Sequence, residues 1–180
     1  MTRSTISIQT TKADHHIAKL TTLAIGLHVL EAMFPSPLPG VKPGIANIIT
    51  LYVLVQYGFG TAAWVSFLRV FASSLLLGQF LTPTFVLSLS GALLSLAALW
   101  LAQHLPKQYF SLITLSILAA IAHIAGQLLI LRLWLIPHAG VSYLIPIFAL
   151  AAVFFGLING VIANQLVKKT NKKRAVNTPL

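Results

Sequence analysis

Two acids stand in the whole sequence, Asp14 and Glu31, and Glu31 is the one inside its apolar part. Around it in sequence lie few other groups able to hold a charge or bind a polar ligand. Lys42 sits in the proline- and glycine-rich stretch PSPLPGVKPGIANIITL (35–51), and Asn47 follows on the first turn of the next apolar segment. Arg69 falls in the middle of a third segment. A lone arginine at that depth costs at least ~2.5 kcal/mol on membrane-insertion scales, so it requires a partner or a wet pocket. Glu31 is the intramembrane acid available to it, and two roles stay open: a buried ion pair that braces two helices, or a cationic wall for an anionic or polar ligand. His123 and Gln127 are four residues apart and share a helix face. They read equally as a packed polar pair or as ligand contacts. Tyr143 opens the last apolar segment. The predicted ligand-binding set is therefore Glu31, Lys42, Asn47, Arg69, His123, Gln127 and Tyr143.

The same scarcity bears on catalysis. Diphosphate chemistry needs clustered carboxylates to hold magnesium, and two acids at different depths do not form a cluster. No nucleophile–base motif and no phosphate-binding loop is present. The chain is thus predicted not to be an enzyme and to have no catalytic residues. The absence of cysteine removes iron–sulfur and thiolate zinc sites. His28 and His123 occur singly; ligation of a haem iron across two helices is a minor alternative, and the sequence predicts neither cofactor nor metal site.

These residues must be positioned by apolar helices. The chain is 57% hydrophobic and 8% charged, with mean hydropathy +0.89, where soluble domains carry about 25% charged residues. The predicted fold is an all-α integral membrane protein, a bundle of six transmembrane helices. The spans are Lys19–Phe34, Gly44–Tyr57, Gly60–Leu77, Thr82–Leu101, Phe110–Leu135 and Val141–Val167. The first is expected to act as an uncleaved anchor. The second is short: it reaches ~21 Å against a hydrocarbon core of ~30 Å, so either the preceding loop dips into the membrane or the span is partly re-entrant. Gly91 in span four and Ala152, Gly156 and Gly160 in span six form small faces that let helices approach closely in lipid.

A net charge of +10 invites a nucleic-acid reading, but no groove-reading motif accompanies it. The charge is juxtamembrane instead. Arg3, Lys12 and Lys19 precede the first span, and Lys168, Lys169, Lys172, Lys173 and Arg174 follow the last. With six spans these fall on one side with Lys107, leaving Lys42 and Arg132 opposite. The positive-inside rule then places both termini in the cytoplasm, with membrane lipid as a partner. The divisions are a polar N-terminal tail (1–17), a membrane domain (18–167) and a basic C-terminal tail (168–180). The helix directions bring the polar groups together in the middle and outer membrane, beneath the 35–44 loop as rim and lid.

The run PGVKPGIANIITL, then Arg69, SLSGALLS of span four, HIAGQL of span five and YLIP of span six, resembles a bacterial family. It is the Gx transporter family, also labelled heptaprenyl diphosphate synthase component I, and the likeness covers about residues 20–165. That family is similar to the substrate-binding S-components of energy-coupling-factor transporters. The resemblance implies six helices in the bacterial inner membrane and an outward-facing pocket for a small solute, isoprenoid- or quinone-related. It implies as partners either energy-coupling-factor transmembrane and ATPase subunits or a prenyl diphosphate synthase subunit. In the second case the chain would be a non-catalytic membrane accessory of polyprenyl diphosphate or quinone synthesis.

Overall fold

The computed structural model describes residues 10–33, 44–105, 111–135 and 139–176. They form six α-helices: α1 (Lys12–Met33), α2 (Ala46–Tyr57), α3 (Phe59–Leu76), α4 (Pro83–Gln103), α5 (Leu112–Ile130) and α6 (Ile145–Val176). A π turn, Leu131–Leu135, extends α5, and a 3-10 turn, Ala139–Leu144, leads into α6. Four stretches are long and apolar enough to cross a membrane: α3, α4, α5 with its π turn, and α6. Large side chains on the outside, such as Trp64, Leu76, Leu101 and Leu150, are well exposed. A soluble monomer does not leave that much hydrocarbon uncovered; lipid accepts it.

α5 packs between α4 and α6. α1, α2 and α3 pack on one another, and α2–α6 and α3–α4 contacts close the ring. The short α2 is the most enclosed element. Ala46, Ile48, Ile49, Thr50, Leu51, Tyr52 and Val53 are all buried. A helix that is apolar all round belongs inside protein, and a run of this length is a core helix more readily than a spanning one. Its shortness is therefore a matter of burial.

Two ends differ from the expected spans. α1 starts at Lys12, inside the polar stretch, because Thr11 and Asp14 cap it. The Asp14 N–H donates to Thr11 Oγ1 (3.2 Å) and the Thr11 N–H to Asp14 Oδ2 (2.8 Å), a reciprocal capping box. The Thr11 N–H and the Thr11 hydroxyl, both donating to Asp14 Oδ2, hold the Asp14 carboxyl below the usual carboxylate range. α6 continues through Val176 because its polar end bonds to α2. Tyr52 Oη donates to Thr170 Oγ1 (3.2 Å), Gln56 Nε2 to Asn171 Oδ1 (3.0 Å) and Arg174 Nη1 to Gln56 Oε1 (2.7 Å).

α5 is flanked by glycines that admit neighbouring backbone. A Cβ on Gly126 would lie 2.6 Å from the Ser90 carbonyl oxygen, and one on Gly91 2.9 Å from that of His123. On the other flank, a Cβ on Gly156 would lie 2.9 Å from Ile117 Cα and one on Gly160 2.8 Å from Ile113 Cα. Ala152 is buried on the same face of α6. Gly126 is a contact that the small-residue spacing did not single out. Gly126→Val should destabilise the detergent-solubilised protein by about 1–3 kcal/mol, the usual effect of overpacking. Gly26→Ala, where nothing lies within 4 Å, should stay within about 0.5 kcal/mol of the parent. Thermal unfolding of the two variants side by side measures the difference.

Candidate ligand-binding site

The polar residues gather where helices of opposite direction share one end. The C-terminal end of α1, the first turn of α2, the middle of α3, the start of α4, the C-terminal half of α5 and the N-terminal half of α6 surround a cavity of about 430 Å³. α1 begins and α6 finishes at the opposite end of the bundle. The volume falls within the ~300–1,000 Å³ of small-molecule sites.

Glu31, buried at 6% exposure, reaches the first turn of α2, where Oε1 accepts the Ile45 N–H at 2.6 Å. Its carboxylate also faces the N–H groups of Gly44 and Ala46. The first N–H groups of a helix have no partner within it, and the helix dipole favours an anion there. Glu31 supplies both from another helix. Arg69, buried at 3% exposure, donates from Nη1 to Asn47 Oδ1 at 2.9 Å. Its Nε is buried without an acceptor. Asn159 on α6 completes the group, its Nδ2 donating to the Gly44 carbonyl at 3.1 Å. Gly44 has φ +66, and a Cβ there would stand 3.0 Å from Asn47 Nδ2; glycine at this position gives both the left-handed turn and the room for Asn47.

His123 and Gln127 line the cavity from α5. The His123 ring bonds to the Gly91 backbone, with Nε2 on that side, and its Nδ1 is buried without a partner. His28 lines the same cavity from α1. Among the described residues no three His, Cys, Asp or Glu side chains come together to hold a metal ion.

Of the residues expected from the sequence, the structure brings Glu31, Asn47, Arg69, His123 and Gln127 to one cavity. Tyr143 stands apart: it lies in the 3-10 turn, is 86% exposed, and is not part of the lining. Lys42, with the whole of 34–43, lies outside the described residues. Three contributions were not anticipated. Asn159 adjoins the small-residue ridge of α6, where an amide in an apolar span was the available signal. Thr84, Leu87 and Ser88 bring α4 into the wall, although the small residues of that helix read as packing. Phe148 and Phe155 line the apolar side, and nothing distinguishes them in sequence from lipid-facing phenylalanines.

Residues 20–166 match a family model described as Heptaprenyl diphosphate synthase component I. No curated protein and no solved structure matches the chain.

Because Glu31 is the acceptor for the start of α2, Glu31→Ala should loosen that turn. Hydrogen exchange of the amides of Ile45 to Ile48 should accelerate, with a loss of about 1.5–3 kcal/mol in unfolding free energy, typical of a hydrogen bond to a charged group. Tyr143→Ala, at an exposed position, should change neither measurement.

Proposed function

We propose, from the premise that the chain belongs to the heptaprenyl diphosphate synthase component I family, that it is a membrane protein whose cavity binds a small polar or amphipathic solute for transport. The observation that carries this reading is a buried arginine with an unmet N–H at the wall of a 430 Å³ cavity that is otherwise largely apolar. Such a group is costly in lipid unless something polar occupies the space beside it. The positive-inside rule, applied to Lys168, Lys169, Lys172, Lys173 and Arg174 near the end of α6, puts both termini in the cytoplasm. The cavity then faces outward, as in the S-components of energy-coupling-factor transporters. The chain would sit in the bacterial inner membrane, in three parts: tail 1–17, membrane domain 18–167 and basic end 168–180.

The family description favours a second reading. It names a synthase component, and a non-catalytic membrane subunit paired with a soluble prenyl diphosphate synthase would satisfy it. A catalytic role for this chain is disfavoured because Asp14 and Glu31 are its two acids and magnesium–diphosphate chemistry uses several carboxylates. Glu31 is moreover bonded to α2, and Asp14 caps α1 at the other end of the bundle. The two readings part over what the protein carries. On the transport reading, native mass spectrometry of the protein released from mild detergent shows a bound small molecule. Ala151→Phe, which fills the cavity from α6, removes that molecule while the protein still elutes as a folded, monodisperse species. A stable complex with a soluble synthase subunit and no bound small molecule would overturn transport in favour of the accessory role.

A further inference from the structure

We propose that the cavity takes an amphipathic monoanion, with a single carboxylate head held at Arg69 and an apolar body lying along α4, α5 and α6. This rests on the reading of the cavity as a binding site and specifies the chemistry of its occupant.

The charge at the polar end comes from two residues whose charges do not meet directly. Glu31 bonds to the N–H groups that open α2, where a helix presents about half a positive charge. Its negative charge is thereby partly answered by backbone. Arg69 feels the Glu31 charge across the site, but among the described residues no carboxylate bonds to it. Its shown acceptor is the neutral amide oxygen of Asn47 at Nη1, and Nε has none. A guanidinium has five N–H donors. The edge formed by Nε and Nη2 is the one that a carboxylate spans with two parallel bonds. Arg69 lines the cavity with its Nε buried, and a head group engages that edge when the guanidinium turns about its last flexible torsions.

The described part of the lining bears on the charge of the head. Among the described residues of the lining, Arg69 is the one lysine or arginine. A diphosphate is ordinarily gripped by several cationic groups or by a metal; one guanidinium suits one carboxylate. A cationic head would be repelled at this end, and a neutral head would leave the Arg69 charge unanswered. Beyond the polar end the wall is mainly apolar, with Leu87 on α4, Ile124 and Leu128 on α5, and Phe148 and Phe155 on α6, and with Thr84, Ser88 and Gln127 set among them. That surface gains by covering an apolar chain or ring.

The test uses the full chain in nanodiscs of zwitterionic phosphatidylcholine and three probes matched in length: decanoate, 1-decanol and decyltrimethylammonium. Decanoate should raise the unfolding temperature at a concentration roughly tenfold below that needed for decanol, the difference expected of one charge-assisted bond. Decyltrimethylammonium should be weakest. Asn47→Asp is the decisive variant, because it places a carboxylate on Arg69 at a hydrogen bond that already exists and so keeps the fold. It should remove the advantage of decanoate and leave decanol unchanged; Arg69→Gln should do the same. Equal responses to decanoate and decanol, or an advantage that survives Asn47→Asp, would overturn the proposal. Ala151→Phe separates the two levels of the argument. Probe effects that persist in that variant arise outside the cavity and overturn the binding-site reading as well. Effects of all three probes that vanish in it without any preference for the anion overturn the carboxylate assignment alone.

Discussion

Glu31 is bonded to the first turn of α2, and that contact determines how the other polar groups of the bundle are used. The backbone N–H groups at the start of a buried helix must find acceptors, and each one left unmet costs about 1–3 kcal/mol. No side chain of α2's own cap supplies one. The carboxylate comes from α1 instead. Once it is engaged there, Arg69 turns to Asn47, which is on the same turn of α2, and Asn159 of α6 reaches the Gly44 carbonyl just before it. Three helices are thus tied to one short segment by bonds of different kinds. In place of a direct ion pair, the two residues make separate attachments to α2, and the guanidinium feels the Glu31 charge without bonding to it.

That outcome depends on α2 being inside the bundle. Between lipid and protein there is no hydrophobic preference to hold an apolar helix in the centre, so close packing and polar bonds must do it. Both are present. The packing comes from the buried face running from Ile48 to Val53 against α1, α3 and α6, and the polar bonds fasten the two ends of the helix. At the start they are the Glu31 and Asn47 contacts; at the finish they are Tyr52 to Thr170 and Gln56 to Asn171 and Arg174.

The class, the order of the helices and the convergence of five polar side chains on one region were legible in the sequence. The reason is that lipid makes polar residues expensive: Glu31, Asn47 and Arg69 stand out from the hydrocarbon around them, and helix direction sets their depth. What was not legible was partner choice. Backbone N–H groups leave no mark in a sequence, so Glu31 was matched to the charge of Arg69 and not to α2. Small residues are ambiguous in the same way. Ser88 serves the cavity wall, whereas Gly126 admits the Ser90 backbone, and spacing does not separate the two uses. The position of Tyr143 turns on the 3-10 geometry of Ala139–Leu144, which rotates side chains differently from the α-helix assumed for that span. The Thr11–Asp14 cap was readable as a capping box but lay in a stretch whose polarity suggested a tail.

The two ends of the bundle are built differently, and this bears on how a solute would move. Below the cavity, Leu51, Leu99, Ala119 and Ala163 form a packed floor, with Leu51 and Leu99 at 2% and 1% exposure. Farther on lie the hydrogen bonds between α2 and the end of α6, and the His16 ring 6.1 Å from that of Tyr57. A solute at Arg69 therefore has a close-packed core beneath it. Dense packing of this kind does not yield continuously. Passage to the other side requires α2 and α6 to part along their length, which breaks the floor and the bonds at the far end together. On the transport reading, inward release takes a concerted change of that packing.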